Sequence, residues 1–194
     1  MRTLVVCSIV SLDGFSAGPG GDLTALPFDE GFNAYGLERL RAADTELTGR
    51  TSYEMFRGHW PGKADDPSAD ELEREISREH NAARQVVISD SLMIGEEEPW
   101  SATTTVVPRA KAHTTVREML AAEGMEILVF GSRTVWNDLL TAGLVSELHL
   151  LVGPKLLGDG VPVFSGPPTP LRLLETRRLD GSSLVLHRYG ARTI

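Results

Sequence analysis

The sequence predicts an α/β fold with a mostly parallel central sheet and antiparallel strands added late in the chain. Three observations point to it. Apolar, β-branched runs alternate with amphipathic stretches through the first two-thirds, the pattern of strand–helix units. The last third carries three strand-like segments with no helix between them. The 194 residues suit one ordinary domain spanning 1–194, with no repeat, low-complexity tract or linker to divide it.

Each element has a local reason. "TLVVCSIVSL" (3–12) reads as a buried strand, ended by the Asp13-Gly14 turn. "FDEGFNAYGLERLRAAD" (28–44) has helical spacing, with Phe32, Leu37 and Leu40 towards the core despite Gly31 and Gly36. A short strand over Thr45–Thr48 leads into "TGRTSYEMF", which opens a second helix. "DDPSADELEREISREHNAA" (65–83) is a charged helix in which Ser68 and Glu71 have capping-box spacing. "RQVVISD" (84–90) and "TTTVV" (103–107) are strands. "TTVREMLAAEG" (114–124) is a helix with Thr115 and Glu118 as its capping box and Gly124 as its stop. "MEILVFG" (125–131) is a buried strand, and "SRTVWNDLLTAG" (132–143) is a helix stopped by Gly143. "SELHLLVGP" (146–154), "LRLLETRRL" (171–179) and "SSLVLHRYG" (182–190) read as strands, and Asp180-Gly181 turns the last two into a C-terminal antiparallel hairpin.

Composition narrows the function. A hydrophobic content of 41% with 24% charged residues supports a buried core. A net charge of -8 argues against nucleic acid as a partner, yet leaves room for a small anion held by backbone N–H groups. Cys7 is the one cysteine, so neither an intrachain disulfide nor a multi-cysteine zinc site can form. His59, His80, His113, His149 and His187 are scattered without an H-E-x-x-H pair, and no metal site is expected. No run reaches the ~18 apolar residues of a membrane span. The N-terminal apolar run lacks a small-residue cleavage site, so no membrane partner and a cytoplasmic location are expected.

Two helix starts share a pattern. In "LTGRTSYEMF", Gly49 permits a close turn, and Thr51 and Glu54 have capping-box spacing. Capping alone accounts for that stretch. The same atoms also suit a phosphate, through free N–H groups, the positive end of the helix dipole and the Arg50 guanidinium. "ILVFGSRTVW" repeats it: a buried strand, Gly131, then Ser132, Arg133 and Thr134 opening a helix. Two such mouths beyond the carboxyl ends of parallel strands could hold the two phosphates of a dinucleotide. Neither stretch is a Walker A or G-x-G-x-x-G motif, which argues against a conventional Rossmann site.

In order along the chain, "SLDGFSAGPGGDL", "LTGRTSYEMF", "VVISDSL", the long "ILVFGSRTVWNDLLTAGLVSELHLLVGPKLLGDGVPVF" and the final hairpin are similar to the dihydrofolate reductase-like family. The similarity is strongest to its stand-alone branch, related to the reductase domain of bifunctional riboflavin biosynthesis deaminase/reductases. It implies a dihydrofolate reductase-like three-layer fold and NADPH-dependent reduction of a small heterocyclic or carbonyl substrate. It places Gly49, Arg50, Thr51 and Ser52 at one pyrophosphate-binding mouth, and Gly131, Ser132, Arg133 and Thr134 at the other. Ser89 falls near the adenosine ribose and its 2′-phosphate, and Asp13 with Gly14 beside the nicotinamide and substrate. Asp90 stands where relatives often carry a basic or polar residue, and an inward carboxylate there would oppose a 2′-phosphate, with Arg50 as counterweight. The resemblance also implies a homodimer. The zinc signature of the deaminase half, H-x-E with P-C-x-x-C, does not occur in these residues.

Hydride transfer needs a positioned substrate and a proton source, and Asp13 is the first candidate for the latter. Its alternative is a plain turn residue before Gly14. Trp60, Trp100 and Trp136 are read as core residues, with a pocket wall as the alternative. Two other functions stay open: a non-catalytic nucleotide-binding module of the same fold, and a mononucleotide domain whose mouths hold a phosphosugar or flavin.

Overall fold

The computed structural model describes residues 1–191. In chain order the elements are β1 (Leu4–Val10), β2 (Phe15–Ala17), α1 (Glu30–Ala42), β3 (Ala43–Gly49), α2 (Arg50–His59), α3 (Glu71–Ala82), β4 (Arg84–Ile88), β5 (Thr104–Val107), α4 (Ala112–Ala121), β6 (Glu126–Phe130), α5 (Arg133–Thr141), β7 (Glu147–Val152), β8 (Val161–Pro162), β9 (Arg172–Arg178) and β10 (Val185–Gly190). Eight strands form one sheet in the order β5-β4-β3-β6-β1-β7-β10-β9. The first six are parallel, and β10 pairs antiparallel with both β7 and β9. The mostly parallel sheet and the C-terminal hairpin are therefore present as expected.

Alternation along the strands sorts the core into two layers. Leu4 and Val6 of β1 pack with Leu47, Val86, Ile127 and Val129 under α4 and α5. Val5, Cys7 and Ile9 point the other way and pack with Leu128 and Phe130 under α1 and α3. Tyr53 of α2 sits on Val87, and Phe56 joins the α1–α3 side. The sheet is thus covered on both faces, which is why β1 is apolar at nearly every position. Gly31 explains itself: a Cβ there would lie 2.4 Å from Ser182 Cβ, so α1 needs a glycine to approach the hairpin turn.

Three helix starts differ from expectation. The capping box of α3 is Asp70 with Glu73, not Ser68 with Glu71. The Ser68 hydroxyl is already donated to Asp66 in a local turn, leaving the carboxylate two residues on to cap the helix. In α4 a turn over Arg109–Lys111 runs straight into Ala112, so Thr115 lies inside the helix and caps nothing. In α2, strand β3 extends to Gly49 and the helix begins at Arg50, so Thr51 is a helical residue. Glu54 accepts from Arg50 Nε at 2.9 Å in place of reciprocating a cap. The two-stranded ribbon of β2 and β8 was not expected, because two or three residues are too few to show an alternation.

Candidate functional site

β3 and β6 are neighbours in the sheet, yet their helices leave to opposite faces, α2 with the α1–α3 layer and α5 with the α4 layer. Such a divergence opens a crevice beyond the carboxyl ends of the strands. A cleft of about 1160 Å³ occupies that position. Both helix mouths line it: Gly49, Arg50, Thr51 and Ser52 from one, and Gly131, Ser132, Arg133 and Thr134 from the other. Ser89 lines it as well, so nine of the ten residues singled out from sequence come together.

The mouths are tied directly to each other. The Gly49 N–H donates to Ser132 Oγ at 3.0 Å, and the Ser132 N–H donates to Ser52 Oγ at 3.1 Å. Ser132 adopts a left-handed backbone with φ 49°, and Gly131 before it has φ 57°. A serine in this region is uncommon. Neither α2 nor α5 has a side chain capping its first turn. The leading N–H groups of both helices therefore remain as donors beside one cleft, each with a positive dipole end.

Charge at this end comes mainly from arginines, with Asp138 of α5, 2.6 Å from His113 Nε2, as the carboxylate in the lining. Arg50 reaches the turn after β4, with Nη1 donating to Ser91 Oγ at 3.1 Å. Arg109, beyond β5, also lines the cleft, and sequence reading missed it because a lone arginine after Pro108 carries no motif. Its own N–H donates to Asp90 Oδ1 at 2.9 Å, and its guanidinium lies 3.8 Å from the same carboxylate. Asp90 thus faces Arg109 and is not among the residues lining the cleft. The Ser89 hydroxyl accepts from the Ser91 and Leu92 N–H groups and shapes the turn after β4. Arg133 is directed to the Pro162 carbonyl and to Ser165 Oγ.

Asp13 is placed differently from the expectation. It does not line the cleft. Its carboxylate accepts from the Ser11 hydroxyl at 2.7 Å and from the Leu157 and Gly158 N–H groups, so it organises the loop after β7. The Ser11 hydroxyl first, and then those amides, draw its pKa down to about 2. A group so firmly ionised is a poor proton donor near neutrality. Of the tryptophans, Trp136 is core and Trp60 lines the cleft. Trp100 packs near Tyr53 and donates from Nε1 to Asn81.

A second polar cluster was invisible in sequence. His80 of α3 lines the cleft, and its Nδ1 lies 2.8 Å from Glu46 Oε1 of β3. Gln85 Nε2 donates to the same oxygen at 2.9 Å. Glu46 and His80 are 34 residues apart, and only the packing of α3 on the sheet joins them. Among the described residues no group of three or more His, Cys, Asp or Glu side chains has the arrangement of a metal site. No described helix is long and apolar enough to cross a membrane.

Residues 2–185 match the model of the RibD C-terminal domain, and the chain belongs to that family. It is 26% identical over 165 residues to the uncharacterized protein YyaP of Bacillus subtilis (strain 168), covering 84% of this chain and 80% of that one. The putative riboflavin biosynthesis protein of Shewanella sp. PV-4 superposes with a TM-score of 0.66 at 19% identity, over 99% of this chain and 100% of that one. The Thermotoga maritima diaminohydroxyphosphoribosylaminopyrimidine deaminase/5-amino-6-(5-phosphoribosylamino)uracil reductase also gives 0.66, at 15% identity, over 98% of this chain and 56% of that longer one. At such identities the structural likeness speaks for the shared fold.

Proposed function

We propose that this member of the RibD C-terminal domain family is an NADPH-dependent reductase. Its substrate would be a small heterocycle, of the pterin or aminopyrimidine kind, or a carbonyl compound. The observation that carries this reading is the pair of uncapped helix mouths, joined through Gly49, Ser132 and Ser52 at one cleft. Their donor set fits a dinucleotide pyrophosphate: backbone N–H groups, the exposed Thr51 and Thr134 hydroxyls, and no carboxylate among the mouth residues. Arg50 and Arg109 flank the Ser89 turn and suit a ribose 2′-phosphate. The contact between Asp90 and Arg109 supports this reading, since it offsets part of the carboxylate's repulsion of that phosphate.

When bound, the nicotinamide supplies the hydride, and the protein supplies position, orientation and exclusion of water. The residues of the two mouths would hold the phosphates and so restrict the cofactor's freedom in the cleft, a gain that is largely entropic. Phe28, Phe32 and Met55 also line the cleft and give it an apolar wall.

Titration with NADPH tests the reading. A rise in melting temperature and quenching of protein fluorescence are expected, with Arg50→Ala weakening both. If neither NADPH nor NADH produced a shift, the proposal would fail. Tight NADPH binding without oxidation against pterins, pyrimidines and carbonyl compounds would favour the non-catalytic module instead.

A further inference from the structure

The cleft has two chemically different ends. Its arginines, Arg50, Arg109 and Arg133, all belong to the helix mouths or to the turn after β5. The other end lies along α2 and under α1 and α3, and is lined by Phe28, Phe32, Met55, Phe56, Trp60 and His80. Among the described lining residues there, none is lysine or arginine, and His59 at the rim is exposed. Phe28 and Phe32 meet edge to face at 5.0 Å, and Trp60 stacks on the His80 ring at 5.2 Å with 25° between planes.

His80 is the buried imidazole of that inner lining, with 4% of its side chain exposed; the Cys7 thiol, also buried, lines the cleft from β1. The Glu46 carboxylate, 1% exposed, accepts from Nδ1. Gln85 Nε2 bridges that carboxylate and the His80 carbonyl at 2.9 and 3.2 Å. This bonding fixes the ring's orientation and its tautomer. Nε2 is left over, with no hydrogen-bond partner among the described residues. A phosphate here would lose its hydration, find no guanidinium or ammonium, and face a carboxylate behind the imidazole. A flat uncharged ring would gain stacking area and one polar contact.

We infer that the inner end of the cleft takes an uncharged, planar ring compound presenting an O–H or N–H to His80 Nε2, and excludes phosphorylated sugar derivatives. The inference rests on the proposed reductase reading for the assignment of the helix mouths to the cofactor, and it narrows the substrate of that reading.

A matched pair of probes tests it: 1-naphthol and 1-naphthyl phosphate, titrated calorimetrically into the full chain with and without saturating NADPH. Naphthol is expected to bind at least tenfold more tightly than its phosphate ester, and NADPH is expected not to displace it. His80→Phe should weaken naphthol at least fivefold, with His80→Gln recovering part of the loss through its side-chain amide. Met55→Arg, at an exposed position, should raise affinity for the phosphate ester at least threefold, and it serves if the His80 variants do not fold. Equal or tighter binding of the ester, no naphthol binding, displacement of naphthol by NADPH, an unchanged affinity in a folded His80→Phe protein, or no gain in Met55→Arg would each overturn the inference. Failure of NADPH itself to bind would instead sink the reductase reading, and it is measured separately on the same sample.

Discussion

Gly49 and Ser132 lie 83 residues apart and are joined by one hydrogen bond, the Gly49 N–H donating to Ser132 Oγ at 3.0 Å. That bond ties the end of β3 to the start of α5 and holds two helix dipoles at one cleft. It also explains why a serine occupies a left-handed position at φ 49°: the hydroxyl has a fixed partner that glycine would not supply.

Ser132→Ala should therefore destabilise the fold by about 1–2 kcal/mol, since the Gly49 donor loses its acceptor. Ser132→Gly removes the same bond but relieves the left-handed backbone, and should recover about 1 kcal/mol of the loss. Urea unfolding of the two variants measures the difference. Both should also bind NADPH more weakly than the parent protein, because the mouths are no longer tied.

Arg109→Ala should reduce the preference for NADPH over NADH by about tenfold, the usual scale of one charge-assisted hydrogen bond. Binding of NADH should change little. Equal losses for both cofactors would place Arg109 elsewhere than at the 2′-phosphate.

Asp13→Asn separates a structural from a chemical role. Loss of a general acid typically lowers turnover by about 10²–10⁴-fold. With its carboxylate bound to Ser11, Leu157 and Gly158, the variant should keep its turnover near the parent's while losing stability at neutral pH. The folded pKa, about 2, lies below the ordinary 3.8, so the stabilisation is fully present above 3.8 and disappears as pH falls through 2. Melting curves of the two proteins should converge over that window.

Gly31→Ala reverses the usual helix rule. Alanine in a helix interior ordinarily gains about 1 kcal/mol over glycine. Here the new methyl would meet Ser182 Cβ at 2.4 Å, and the Ser182 hydroxyl that binds Asp29 would be pushed away. A net loss of about 1–3 kcal/mol is expected, the range of overpacking, read from the denaturant midpoint.

By itself the sequence determined the order of the main strands and helices, because β-branched runs such as "LVVCSIV" and "EILVF" are apolar nearly throughout, as burial on both sheet faces requires. The repeated glycine–hydroxyl–arginine pattern also made the two mouths legible, since helix starts are local features. Helix caps were harder, because Ser68 and Asp70 both satisfy the spacing and only their hydrogen bonds choose between them. The tertiary structure alone decided which side chains share the cleft. It turned Asp13 to a loop and Asp90 to Arg109, and it brought Glu46 to His80 from a different element. Those pairings follow from how distant elements cross, and local spacing carries no record of that.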